Sequence, residues 1–150
     1  MRAKHQIPNK FQFPKNRKKG IEILEIKPLA TGAKTLAQAL YGFSYEIHLP
    51  ENIEKNQINI IRDNIGKFLT SPSFNISRLS KGKTINKNIR PFVKSIAFNP
   101  SENTVEFTAG HTQEGSARPV DIITHVLGFS NEEAPYIYVT KIKTILLPID

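Results

Sequence analysis

The spacing of apolar residues changes at Pro50, and this change restricts the chain to folds in which a helix directly follows a strand. Before the proline, four apolar residues alternate with polar ones: Phe43, Tyr45, Ile47 and Leu49. A period of two is typical of a strand with one buried face. After the proline, five apolar residues recur at helical spacing over residues 51–69: Ile58, Ile61, Ile65, Phe68 and Leu69. The sequence therefore predicts a half-buried strand followed by an amphipathic helix.

Weaker patterns predict further elements on both sides of this pair. Isoleucines in residues 21–27 indicate a short strand that ends near Pro28, and residues 35–40 indicate a brief helical turn. Downstream, residues 92–98 and 104–108 carry apolar residues on either side of a turn-forming sequence, which predicts a hairpin.

The last third of the chain predicts a helix and a strand. Pro119 fits the first position of a helix and Gly128 fits its end. The expected apolar face of that helix has four members: Val120, Ile123, Val126 and Leu127. Residues 136–147 are rich in β-branched and aromatic residues and indicate a final strand. From Phe43 onward the predicted order is β-α-β-β-α-β, which indicates an α+β, ferredoxin-like fold with an antiparallel sheet and two helices on one face.

Length and composition limit the function classes. A chain of 150 residues is the size of one domain, and we expect a basic arm or linker over residues 1–20 and the domain over residues 21–150. The absence of cysteine excludes thiolate catalysis, cysteine-ligated zinc and cysteine-held iron–sulfur clusters within this chain. With no secretory signal and no apolar run of about 18 residues, we expect a cytoplasmic protein that makes no membrane contact.

The net charge of +8 is concentrated in two segments that contain no acidic residue. Residues 1–20 and residues 64–101 hold seven basic residues each, whereas the intervening and following segments are acidic. Such a layout favours a localised positive surface that contacts a polyanion.

Six cations are the candidate nucleic-acid-binding residues: Lys81, Lys83, Lys87, Arg90, Lys94 and Arg118. The three lysines at 81, 83 and 87 lie in a polar, hairpin-like segment that leads to Arg90. Two other roles remain open at this stage. Lysines at a strand edge also prevent edge-to-edge aggregation, and Arg118 before Pro119 could hydrogen-bond backbone carbonyls of the hairpin.

Candidates for catalysis are few. The four histidines, at positions 5, 48, 111 and 125, lack the spacing of metal ligands. His111 shares a loop with Glu114 and Arg118, but this loop offers no nucleophile. We therefore expect a protein that is not an enzyme and that holds no metal and no cofactor.

Three stretches carry a resemblance to a known family: KGKTINKNIRPFVKSI, GSARPVDIITHVLGF and IYVTKIKTIL. Together they resemble the C-terminal half of the DUF2344 family, whose members are described as radical S-adenosylmethionine-linked proteins. The most specific points are the run at residues 81–83, Arg90-Pro91, and Arg118-Pro119 with Asp121. Two departures stand out, because the motifs of the family's N-terminal half are missing and Lys141 stands where an arginine is expected.

The resemblance implies a radical S-adenosylmethionine protein as partner, encoded beside the chain or fused to it. Combined with the charge layout, it predicts a non-catalytic accessory or substrate-recognition module that binds RNA through the basic hairpin. The alternative is a domain that docks the radical enzyme and makes no nucleic-acid contact. An RNA-processing enzyme built from paired ferredoxin-like domains is a third reading, for which only His111 could serve as a base.

Overall fold

The computed structural model describes residues 20–147, so the expected arm over residues 1–20 lies almost entirely outside the described residues. Nine helices and strands lie in this range: α1 (Leu36–Ala39), β1 (Leu40–His48), α2 (Lys55–Thr70), β2 (Asn75–Ser80), β3 (Lys83–Asn88), β4 (Val93–Asn99), β5 (Thr104–Gly110), α3 (Pro119–Asp121) and β6 (Tyr138–Leu146). Two 3-10 turns, Arg90–Phe92 and Ala134–Tyr136, and a π-helical turn, Ile122–Val126, complete the set. The predicted α+β class is confirmed.

The strand and helix predicted on either side of Pro50 are β1 and α2. Ile47 is fully buried on β1, and Ile61 and Phe68 are fully buried on α2. The helix begins at Lys55, four residues later than the apolar spacing indicates. The delay arises because Ile53 donates its backbone N–H to the carbonyl of Pro50 and so forms a turn before the helix.

Four strands form one antiparallel sheet in the order β4-β5-β1-β6. One face carries Ile47 and its cross-strand partner Val105, both fully buried in the apolar core that also contains residues of α2 and of the π-helical turn. The next pair along the same two strands is Glu46 and Glu106. Because successive side chains alternate between faces, the opposite face of the sheet is polar and acidic at its centre.

A second, two-stranded sheet lies between α2 and β4 in the sequence. It consists of β2 and β3, which within the described residues pair only with each other. Lys81 and Gly82 form the connecting turn and both have positive φ, 49° and 75°, as a two-residue type I′ turn requires. The hairpin-like segment predicted from the basic sequence is therefore a hairpin.

One local prediction was wrong and a second was right only in part. Residues 21–27 form no strand, and Leu24 in that segment is 87% exposed, because an alternating sequence needs a neighbouring strand to pair with. In the helix after Pro119, Ile123, Val126 and Leu127 are buried as predicted, whereas Val120 is exposed and Ile122 is fully buried. From Ile122 onward this helix is a π-helical turn, in which Leu127 donates its backbone N–H to the carbonyl of Ile122.

Candidate functional site

An open cleft of about 790 Å³ lies at the end of the four-stranded sheet where β4 begins and β5 ends. Its walls come from β3, from the 3-10 turn at Arg90–Phe92 and from the loop of residues 111–116. The lining residues are Asn86, Lys87, Asn88, Pro91, Phe92, Lys94, Thr112, Gln113 and Glu114. Two of the predicted site residues, Lys87 and Lys94, therefore face one cavity although they lie on different strands.

Lys87 is held against the far wall of the cleft. Its Nζ donates a hydrogen bond to the carbonyl oxygen of Glu114 and lies 4.8 Å from the centre of the Phe92 ring. A Cβ atom added at Gly115 would lie 2.7 Å from the same nitrogen. Glycine at this position thus leaves the space that the lysine side chain occupies.

Lys94 is placed in a similar way on β4. Its Nζ lies 3.3 Å from the carbonyl oxygen of Pro91, and a Cβ atom added at Gly110 would lie 2.9 Å from its Cε. Each cleft lysine therefore passes over a glycine, and its ammonium group lies beside one backbone carbonyl oxygen.

Lys81 and Lys83 lie at the tip of the β2–β3 hairpin and are exposed. Within residues 20–147, no carboxylate lies within 4.0 Å of Lys81, Lys83, Lys87 or Lys94. We call these four residues the lysine surface. Because their charge is not neutralised by ion pairs, this surface attracts anions.

Arg90 does not share the surroundings of the four lysines. Its Nη1 donates to the carbonyl of Val93 at 3.1 Å and its Nη2 to that of Leu69 at 3.2 Å. The guanidinium also lies 5.2 Å from the centre of the Phe68 ring. Arg90 thus joins the end of α2 to the start of β4, and we assign it a positioning role.

Arg118 contacts a carboxylate and not the hairpin carbonyls. Its Nη2 and Nε lie 2.9 and 3.2 Å from the two oxygens of Asp121, and its backbone N–H donates to the same carboxylate at 3.0 Å. The hydrogen bond to Asp121 raises the pKa of the Arg118 guanidinium. Arg118 remains partly exposed, so an edge of the guanidinium still faces solvent.

Arg78 on β2 is not among the candidate residues predicted from the sequence, yet the structure places it beside Asp121. Its Nη1 lies 3.4 Å from Asp121 and its Nη2 donates to the carbonyl of Ser116 at 3.1 Å. Arg78 thus joins the hairpin to the loop that precedes α3. A signal did exist, because an acidic residue three positions after a helix N-cap often accepts a bond from the cap, which marks Asp121 as a fixed anion.

His111 lies at the surface near the start of β1. Its backbone N–H donates to the carbonyl of Tyr41 at 2.7 Å, and its ring meets the Phe43 ring edge-on at 6.2 Å. Lys141 on β6 places its Nζ 3.8 Å from the centre of the Phe43 ring. Arg118 lies in the same loop, as predicted, and its guanidinium bonds Asp121.

Neither a metal-binding cluster nor a membrane-spanning helix occurs among the described residues. Over residues 20–147 no group of three or more His, Cys, Asp or Glu residues is arranged to hold a metal ion. Helices of the same range are all too short or too polar to cross a membrane.

Comparison with known proteins identifies the family. No curated protein and no solved structure matches the chain. The family model described as "Uncharacterized protein conserved in bacteria (DUF2344)" matches residues 10–119. The match covers more than two thirds of the chain, including the lysine surface and the loop that closes the cleft. This protein is therefore a member of the DUF2344 family.

Proposed function

We propose that this chain is a non-catalytic accessory module that recognises RNA for a radical S-adenosylmethionine enzyme. The observation that carries the RNA contact is the lysine surface, in which four ammonium groups on one hairpin and its adjoining cleft have no carboxylate partner among the described residues. The radical enzyme as partner follows from the family resemblance. In this proposal the chain supplies binding and orientation, and the enzyme supplies the chemistry.

The fold supports this proposal by analogy. We interpret β1, α2, β4, β5, the helical segment starting at α3, and β6 as the six elements of a ferredoxin-like domain into which the β2–β3 hairpin is inserted. Domains with this type of four-stranded sheet commonly bind single-stranded RNA on the sheet surface through aromatic residues. Here the polar face carries the opposed pair Glu46 and Glu106, which repels phosphates. The analogy therefore applies to the class of ligand, and the contact surface we propose is the lysine surface.

The salt dependence of RNA binding tests the proposal. Replacing Lys81, Lys83, Lys87 and Lys94 by glutamine removes up to four phosphate contacts. Each lost contact flattens the dependence of log affinity on log salt by about 0.7 for a single strand, so the slope changes by roughly 3. Arg90 stays unchanged in this variant because its side chain bonds Leu69 and Val93.

A charge-matched control uses four exposed lysines from other surfaces: Lys34, Lys55, Lys67 and Lys143. Their replacement by glutamine lowers the net charge equally and should leave most of the slope intact. Titration of labelled single-stranded and hairpin RNA at several salt concentrations measures both variants. Absence of RNA binding near 50 mM salt, or equal slopes for the two variants, would contradict the proposal.

A second candidate function is protein docking without nucleic-acid contact. The observation that favours it is the position of β6 at the edge of the sheet that residues 20–147 form, beside exposed aromatic residues, Tyr136 at 87% and Tyr138 at 68%. A groove of about 290 Å³ runs alongside, lined by apolar residues that include Val120 and Ile123. Co-purification with the radical enzyme that is lost on Tyr136→Ser and Tyr138→Ser, in a chain that binds no RNA, would favour this function.

A further inference from the structure

We propose that the cleft of about 790 Å³ binds one unpaired nucleotide of the RNA, with its phosphate on Lys87 and Lys94 and its base edge against Gln113. This inference rests on the proposed function and names the part of the RNA that the module recognises. The lysines at the hairpin tip, Lys81 and Lys83, then contact the neighbouring phosphates.

The size of the cleft fits a single nucleotide. Sites for small molecules and cofactors occupy roughly 300–1,000 Å³, and the cleft volume of about 790 Å³ falls in that range. A duplex could only lie across the opening, because its bases are paired and stacked. A single-stranded nucleotide can turn its base into the cleft.

The two lysines retain the hydrogen-bond donors that a phosphate needs. An ammonium group has three N–H donors, and the structure gives each cleft lysine one protein acceptor, the carbonyl of Glu114 for Lys87 and that of Pro91 for Lys94. Each lysine therefore has donors left for a phosphate oxygen. Both side chains pass over glycines, at positions 115 and 110, where a larger residue would crowd them.

The amide side chains of the cleft divide into two groups. Asn88 is engaged, because its Oδ1 accepts the backbone N–H groups of Phe74 and Arg90, and the Oδ1 of Asn86 accepts from Ser77. The Gln113 amide makes no side-chain hydrogen bond within residues 20–147 and is exposed in the loop that borders the cleft. An amide carries both donors and an acceptor, so Gln113 can pair with the exposed edge of an unpaired base, as in single-strand RNA recognition.

Two kinds of probe, mononucleotides and short RNAs, and three variants of the chain test this inference. The probes are adenosine and uridine 5′-monophosphates, and labelled eight-nucleotide RNAs of adenosine or uridine. The cleft variant carries Lys87→Met and Lys94→Met, which removes the charges and keeps aliphatic chains for packing on Phe92. The control variant carries Lys55→Met and Lys143→Met, two exposed lysines outside the lysine surface. Gln113→Ala is the third variant.

The expected pattern is specific to each variant. The cleft variant should bind the monophosphates at least tenfold more weakly than the native chain does, and its salt slope with the octamers should fall by about 1.4, two contacts at 0.7 each. The control variant should match the native chain in both assays. Gln113→Ala should leave the salt slope unchanged and alter the adenosine-to-uridine preference by roughly three- to tenfold, the range of a lost hydrogen bond.

The outcomes separate this inference from the proposed function. The native chain could bind the octamers while the cleft variant and the control variant bind the monophosphates with equal affinity. In that case the cleft is not a nucleotide site and the proposed function stands. If Gln113→Ala leaves the base preference unchanged, the base is not read there. If monophosphates bind in the cleft and RNA does not, the proposed function fails and the site is one for free nucleotides. Binding of an acidic protein at the cleft, without either probe, would overturn both.

Discussion

Among the described residues, we expect Asp121 to be the one at which a substitution that barely changes the side-chain shape costs the most stability. Its carboxylate is 2% exposed and receives the backbone N–H and the guanidinium of Arg118 together with Nη1 of Arg78. Asp121→Asn preserves the volume, removes the charge and turns an NH₂ group toward these donors. We expect the variant to fold less stably and to hold the β2–β3 hairpin less firmly.

The size of the expected loss of stability follows from the solvent exposure of the two arginines that contact Asp121. Removing one partner of a buried ion pair costs about 3–5 kcal/mol, and Arg78, at 12% exposed, is the buried partner. The Arg118 side chain is 46% exposed, where water screens the pair and its contribution is about 0–1 kcal/mol. Asp121→Asn should therefore lower the free energy of unfolding by about 3 kcal/mol or more, and Arg118→Ala by about 1 kcal/mol or less.

Urea denaturation followed by circular dichroism measures the difference. With a slope of about 2 kcal/mol per molar urea, the Asp121→Asn midpoint should fall by about 1.5–2.5 M. Asp63→Asn, an exposed acid on α2, makes the same chemical change and should shift the midpoint little. A loss below about 1 kcal/mol for Asp121→Asn would refute the reasoning, as would an equal loss for Arg118→Ala.

Two further predictions concern the core. Because Ile122 is fully buried and Val120 is exposed, Ile122→Ala should destabilise the fold by about 2–5 kcal/mol and Val120→Ala by less than about 0.5 kcal/mol; the reverse order in urea denaturation would contradict this assignment of the buried face. Burial raises the pKa of Tyr45 above 10.0, so the folded state favours the neutral phenol. The contribution of Tyr45 to the free energy of unfolding is therefore fully present below the unfolded-state pKa and is lost as the pH rises through the folded-state pKa. Unfolding midpoints between pH 9 and 11 should therefore fall more for the native chain than for Tyr45→Phe; parallel curves would contradict this assignment.

Local periodicity explains which parts of the fold could be predicted. The strand before Pro50 and the helix after it follow from side chains that are close in sequence, and the hairpin of β4 and β5 follows from the turn residues between them. The π-helical turn after Asp121 could not be predicted, because apolar residues at 122 and 123 fit either helix. The prediction of a strand over residues 21–27 was wrong for the opposite reason. The apolar pattern is present there, but the structure gives these residues no neighbouring strand to pair with.

The candidate site also has one part that could be predicted from the sequence and one part that could not. Charge alone marked the lysines at 81, 83, 87 and 94, and the structure brings Lys87 and Lys94 to one cleft. Charge could not separate them from Arg90, whose donors bond backbone carbonyls that only the folded chain brings within reach. The pairing of Arg78 with Asp121 joins residues 43 positions apart, a distance over which no spacing rule operates.

The way the β2–β3 hairpin leaves and rejoins the body has a consequence for how this family can diversify. The backbone N–H of Ile89 donates to the carbonyl of Phe74 at 2.9 Å, so a hydrogen bond joins the two ends of the insertion. Residues added or removed at the tip, beyond Arg78 on β2 and Lys87 on β3, leave this hydrogen bond and the contact of Arg78 with Asp121 unchanged, and each doubling of a loop costs only about 0.6 kcal/mol in closure entropy. The hairpin can therefore lengthen or shorten among relatives, which changes how far its tip lysines reach while the domain that carries them stays the same.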